Sequence, residues 1–254
     1  MSSSAELHLA YRIANAQVLP FPYPHFFVRD IFPADYYARL QAMLPDPASL
    51  VPLAEARNVR GYDERFVLDL GAESLARLDA PRREFWEGLR ETLSGGAFAR
   101  LLLQKFGPLV KERFGAQPVS FYEEMLLVQD TTRYSLGPHT DSPRKVITLL
   151  FYLPHDESQE HLGTSMYVPR DRAFRCPGGP HYPREGFESV WTMPFLPNTL
   201  FAFLKTPASF HGVETVLDPD CRRWLLLYDI YHHALQAPPS APEPAAANDL
   251  KFSF

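Results

Sequence analysis

Two hydrophobic periods divide this chain. From Pro81 to about Gly115 apolar residues recur every three to four positions, predicting two helices, PRREFWEGLRETL and FARLLLQKFGPLVKERF, broken at Ser94-Gly95-Gly96. Beyond them the pattern changes to short β-like runs punctuated by Pro, Gly, Asn and Asp: VSFYEEMLLVQD, KVITLLFYLP, SMYVP, SVWTMPFL, TLFAFLK and RRWLLLYDIYHH. So many strands in succession predict a sandwich or barrel. Ahead of the helices, PYPHFFVRDIF reads as a strand and Pro33-Ala34-Asp35 opens a further helix through DYYARLQAML. Residues 51–70 read as a loop with one strand in RFVLDL.

Three segments stand outside this rhythm. The polar stretch from Pro154 to Glu188, with Gly163, Pro169, Pro177, Gly178, Gly179 and Pro180, is too long for a tight turn and reads as a functional insertion. Residues 1–20 read as an N-terminal extension and 237–254 as a Pro/Ala-rich, disordered tail. One domain over 21–236, with a β core at about 117–233, fits the 254-residue length.

Composition narrows the function classes. Hydrophobic residues are 46% and charged residues 22% of the sequence, the globular range. A formal net charge of −5 gives no broad electrostatic reason to bind nucleic acid or an anionic membrane. Cys176 and Cys221 form no CxxC and no disulfide framework. No signal-peptide pattern opens the chain and no apolar run approaches the roughly 18 residues that span a bilayer, so the expected location is cytoplasmic.

The chemistry concentrates in GPHTDSPRKVITLLFYLP. His139 and Asp141 are two residues apart at what reads as the entrance to a strand, where a period of two puts both side chains on one face. An HxD pair alone is weak, but His211 follows an apolar strand 72 residues later. Two imidazoles and a carboxylate on one face of an ion leave open positions, the set suited to iron(II) and oxygen chemistry, whereas zinc favours a more closed tetrahedron. Arg223 begins the apolar strand RRWLLLYDIY, and alternation sends Arg223, Leu225 and Leu227 to one face and Arg222, Trp224 and Leu226 to the other. A guanidinium driven inward needs a carboxylate partner, which a dicarboxylate co-substrate supplies.

HxD, a distant His and this Arg resemble the 2-oxoglutarate- and Fe(II)-dependent oxygenases, particularly their prolyl 4-hydroxylase-like branch. The blocks YSLGPHTD, LGTSMYVP and LPNTLFAFLKTPASFHGVETV follow that family's segment order, and PYPHFFVRDIFPADYYARL is similar to its N-terminal part. The resemblance implies a mainly β fold with flanking helices (α+β): a double-stranded β-helix, or jelly roll, with helices packed on one side. It implies iron ligation by His139, Asp141 and His211, and a salt bridge from Arg223 to the distal carboxylate of 2-oxoglutarate. Tyr134 is the tyrosine nearest to where relatives place a co-substrate hydroxyl; Gln129 and Leu136 occupy the neighbouring places. Thr164 and Tyr167, where the family's second core region faces the pocket, and Lys145, close behind HxD, are candidate pocket residues.

The implied activity is hydroxylation of an unactivated C–H bond in an amino-acyl (prolyl-like) or small-molecule substrate, with O2 consumed, succinate and CO2 formed, and ascorbate as a possible reductant. Asp141 disfavours halogenation, since halogenating relatives replace this carboxylate. A nucleic-acid substrate is disfavoured by Leu225 and Asp229, where demethylases of the family carry Asn and Arg. The competing reading is a cupin-like metal-binding isomerase or binding protein that does not turn over 2-oxoglutarate. Such a protein has no need of a buried arginine opposite the metal.

Overall fold

The computed structural model describes residues 1–59, 62–233 and 250–252. It begins with helix α1 (Ser3–Asn15), whose N-terminus is capped by the Ser2 hydroxyl accepting from the Ala5 amide. Leu9 and Ile13 bury one face of α1 in the helical layer, so the segment expected to be an extension contributes to the core. Strand β1 (His25–Val28), helix α2 (Ala34–Ala42), strand β2 (Val51–Pro52), helix α3 (Leu53–Arg57), strand β3 (Arg65–Asp69) and helix α4 (Ala72–Leu75) follow.

The paired helices expected over 81–115 are three: α5 (Ala80–Ser94), α6 (Ala97–Lys105) and α7 (Gly107–Phe114). The extra break falls beside Pro108, which has no amide hydrogen to continue α6 but fits the first turn of α7.

The rest is β4 (Val119–Thr131), β5 (Leu136–His139), β6 (Lys145–Tyr152), β7 (Ser165–Pro169), β8 (Phe187–Thr192), β9 (Thr199–Leu204), β10 (His211–Val213), β11 (Arg222–His232) and β12 (Leu250–Phe252). One antiparallel sheet has the order β1-β9-β6-β11-β4-β3-β2, with β12 also on β4; the other has the order β5-β10-β7-β8. From β4 to β11 the chain crosses between the sheets at nearly every connection. This winding is the expected double-stranded β-helix, and helices α1, α2, α5 and α6 cover the outer face of the larger sheet.

The two faces of the larger sheet explain the unbroken apolar runs of β6 and β11. Ile147, Leu149, Phe151, Trp224, Leu226 and Tyr228 pack outward against Trp86, Leu89 and Leu102 of the helices. Leu150, Tyr152, Phe201, Phe203 and Leu225 point inward, toward Met166 and Val213 of the smaller sheet. A strand buried on both faces loses the alternation of a half-exposed one. Trp191 is 57% exposed because β8 is the edge of the smaller sheet.

Of the Pro/Ala-rich tail, Leu250–Phe252 pair with Val119–Phe121; the expectation for the remainder lies outside the described residues. Among the described residues no helix is long and apolar enough to cross a membrane.

Candidate metal and co-substrate site

The space between the sheets opens into a pocket holding about 470 Å³, its mouth included. His139, Asp141 and His211 stand at one end. Their ligating atoms lie within 4.8 Å of one another, and each residue is at most 9% exposed. His139 and His211 are direct cross-strand partners on β5 and β10, with ring centroids 4.3 Å apart. His139 therefore closes a strand instead of opening one, and Asp141 lies in the β5–β6 connection. The turn, not the alternation within one strand, brings the carboxylate to the imidazoles. Its Oδ2 lies 3.9 Å from His211 Nε2.

Both histidines are prepared as ligands. Nδ1 of His139 donates to the Gly137 carbonyl at 3.1 Å, and Nδ1 of His211 to the Ser209 carbonyl at 3.0 Å. A carbonyl only accepts, so each Nε2 keeps its lone pair for a metal. Burial, reinforced by the neighbouring His211, lowers His139 to about 3, and burial lowers His211 as well. Both rings are thus neutral near pH 7, the form that binds metal. Burial alone would raise Asp141, but Lys145 and the two imidazoles outweigh it and hold the carboxylate below its usual range. Two imidazole nitrogens and a carboxylate, with their other atoms committed, fit a divalent transition metal.

Gly212 sets the spacing of the two histidine strands. A Cβ there would stand 2.4 Å from the Leu136 carbonyl oxygen. Gly212→Ala should therefore push β10 off β5 and weaken iron(II) binding by about 10- to 100-fold, the scale of other changes that misorient metal ligands. Equilibrium titration of iron(II) into the folded variant measures this.

Lys145 is not a solvated strand-end lysine but a buried one. Its ammonium lies 3.1 Å from Asp141 Oδ1 and 3.0 Å from Asp229 Oδ2. The Thr148 hydroxyl donates to Asp141 Oδ2 at 2.8 Å. Lys145 lines the pocket, yet its partners make it a holder of the metal-ligating carboxylate. Thr164 also lines the pocket. Tyr167 does not: a bulge between Met166 and Tyr167 turns its ring onto Phe187, and its hydroxyl donates to Glu214.

At the far end Arg223 faces inward with Leu225 and Leu227, as the alternation requires. Its carboxylate partner, however, is the chain's own Asp130. Arg223 Nη1 donates to Asp130 Oδ2 at 2.6 Å, Nε donates to the Leu162 carbonyl at 2.6 Å, and the guanidinium lies over Phe195. Arg65 grips the same carboxylate from the other side, Nε to Oδ1 at 2.6 Å and Nη2 to Oδ2 at 2.9 Å. A co-substrate is thus not needed merely to give Arg223 a partner. Two guanidinium groups and one carboxylate nevertheless leave one positive charge, and both arginines line the pocket. Tyr134 lies fully buried with its ring 4.4 Å from the Arg65 guanidinium and its hydroxyl without a hydrogen-bond partner among the described residues. Burial pushes this hydroxyl up, Arg65 only opposing in part, so it stays protonated and able to donate.

Sequence reasoning missed Arg65 and Asp130. In the strand register Arg65, Asp130 and Arg223 are directly opposite one another across β3, β4 and β11.

The insertion caps the metal end. Tyr182 donates its amide to the Pro138 carbonyl, the Thr140 hydroxyl donates to the Cys176 carbonyl, and Lys205 donates to the Pro177 carbonyl. Gly178, at φ +138°, presses so close to Asp141 that a Cβ would stand 2.3 Å from its carbonyl oxygen. His181 has its ring 4.7 Å from that of His139 and a ring nitrogen 3.1 Å from the Tyr62 hydroxyl. His161 and Asp218 form an exposed pair, 2.9 Å apart.

No family model and no curated protein matches the chain. Among solved structures it is similar to a Pseudomonas putida prolyl-4-hydroxylase, at 15% identity, covering 89% of this chain and 100% of that one, with a TM-score of 0.49. It is also similar to the non-heme alpha-ketoglutarate-dependent carbocyclase SnoK from nogalamycin biosynthesis, at 11% identity over 100% and 97%, TM-score 0.49. A third is a prolyl hydroxylase from Trichoplax adhaerens in complex with a hypoxia inducible factor peptide, at 11% identity over 89% and 88%, TM-score 0.46. The β-helix itself rests on the strand order of this chain.

Proposed function

We propose that this protein is a 2-oxoglutarate- and Fe(II)-dependent oxygenase that hydroxylates a C–H bond of an amino-acyl or small-molecule substrate. The observation that carries this reading is one cavity with two unlike ends: a buried His139-Asp141-His211 ligand set, and a buried arginine pair with one unmatched positive charge. A metal-binding isomerase has a use for the first end alone.

Iron(II), when bound, supplies the electrons that activate dioxygen, and a facial set of two histidines and one carboxylate leaves positions open for that chemistry. The chain's own residues do the rest. Nε2 of His139, Nε2 of His211 and the Asp141 carboxylate hold the metal. Thr148 and Lys145 fix Asp141, so that its oxygens do not rotate. Arg223 receives the distal carboxylate of 2-oxoglutarate, which orients the keto-acid end toward the metal. Leu150, Leu225 and Leu227 line the walls between the two ends, keeping water from the reacting centre. The net reaction consumes 2-oxoglutarate, O2 and R–H and yields succinate, CO2 and R–OH. The insertion packs over the metal end, and loops held on a rigid barrel are where specificity is set.

Purified protein with Fe(II), ascorbate and 2-oxoglutarate should form succinate slowly without added substrate, and faster with the correct one. Omitting Fe(II) should stop it. Bound iron with no succinate would favour the isomerase or binding-protein reading.

A further inference from the structure

We propose that Arg65 is a second anchor for the distal carboxylate of the keto acid, and that the Arg65–Asp130–Arg223 row sets the charge that makes the site select a dicarboxylate. This inference rests on the functional reading above. It goes beyond Arg223, because Asp130 alone would leave Arg223 neutralised and the pocket floor without net charge.

The geometry supports a shared anchor. Asp130 has no solvent-exposed side-chain surface and takes three charge-assisted hydrogen bonds from the two arginines. This commits Nε and Nη2 of Arg65 and Nε and Nη1 of Arg223. Arg65 Nη1 and Arg223 Nη2 are the guanidinium nitrogens with no hydrogen bond to a described residue, and both arginines line the pocket. The Tyr134 hydroxyl, buried beside Arg65, is a third uncommitted donor. One carboxylate accepts at both oxygens, so this donor set suits one anionic group held from two sides. Arg65 thereby cancels the charge of Asp130 and offers a donor of its own. Asp130 fixes both forks, because their register places them on either side of it.

The two parts of this role separate in a charge-balance experiment. Anaerobic calorimetric titration of 2-oxoglutarate into the Fe(II)-loaded protein reads binding without turnover. Arg65→Met leaves Asp130 to neutralise Arg223, and affinity should fall about 10- to 100-fold, the scale of a lost charge-assisted hydrogen bond in a buried site. Adding Asp130→Asn to that variant restores the single positive charge, and most of the affinity should return. Arg65→Lys should stay within about 10-fold of the unmodified protein. 2-Oxobutyrate, which lacks the distal carboxylate, should bind weakly and alike to all of them. A purely structural role for Arg65 predicts no rescue, so a double variant no tighter than Arg65→Met overturns the proposal, as does an Arg65→Met that binds normally. If Arg65→Met does not fold, the double variant and Arg65→Lys decide, and weak binding by both overturns it. Failure of the unmodified protein to bind 2-oxoglutarate instead overturns the functional reading itself, and the anchor with it.

Discussion

Replacing Asp130 by leucine is expected to destabilise the protein by about 3–5 kcal/mol, the cost of stranding buried charge. Asp130 is the shared acceptor of Arg65 and Arg223, and neither its side chain nor that of Arg223 is more than 1% exposed. The substitution removes three charge-assisted hydrogen bonds and leaves two like charges facing one another where water reaches poorly. Leucine fills the volume but accepts nothing. For a chain of this size the melting temperature should drop by about 10 °C or more. Asp218→Leu makes the contrast. That carboxylate pairs with His161, whose side chain is 58% exposed, and an exposed pair is worth roughly 0–1 kcal/mol. Thermal unfolding of the two variants in one buffer measures the difference; equal melting temperatures would mean that the arginine row carries no buried charge.

Most of the strands could be read from the sequence because central strands buried on both faces are long and apolar. The facing of Arg223 was also legible, since a period of two is rigid once a strand is recognised. The short strands β5 and β10, of four and three residues, were not legible. Glycine and proline interrupt Leu136–His139, and a three-residue strand offers too few positions to show a period. HTDSPRK was therefore placed at the head of the following strand, whereas Asp141 lies in the turn between two. Arg65 and Asp130 were invisible for another reason. They meet Arg223 only through the register of β3 and β11 on β4, and pairing between strands far apart in sequence leaves no local trace. Lys145 lines the pocket as a candidate residue should, but its ion pairs were hidden by the same limit. Asp229, which holds it, is 84 residues away.

His211→Ala is expected to bring iron content and succinate formation below about 1% of the unmodified protein. Changes that only loosen metal ligands cost about 10- to 100-fold, and deletion of one of three ligands must exceed that. The remaining pair, His139 and Asp141, holds an ion from two sides only, and alanine leaves the cross-strand partner of His139 without a ring. The fold should survive, because His211 sits in β10 through backbone pairing with both β5 and β7. Metal analysis and succinate assays on the folded variant test this, with His233→Ala as the control. Normal iron content in His211→Ala would place the metal elsewhere.

One iron(II) and one 2-oxoglutarate are expected to occupy the two ends of a single cavity. Anaerobic equilibrium binding tests it most directly, titrating 2-oxoglutarate with and without Fe(II). One Fe(II) and one 2-oxoglutarate should bind per chain, the keto acid much more tightly when the metal is present. Iron binding that leaves 2-oxoglutarate affinity unchanged, or a keto acid that never binds, would mean that the two ends do not form one metal and co-substrate site.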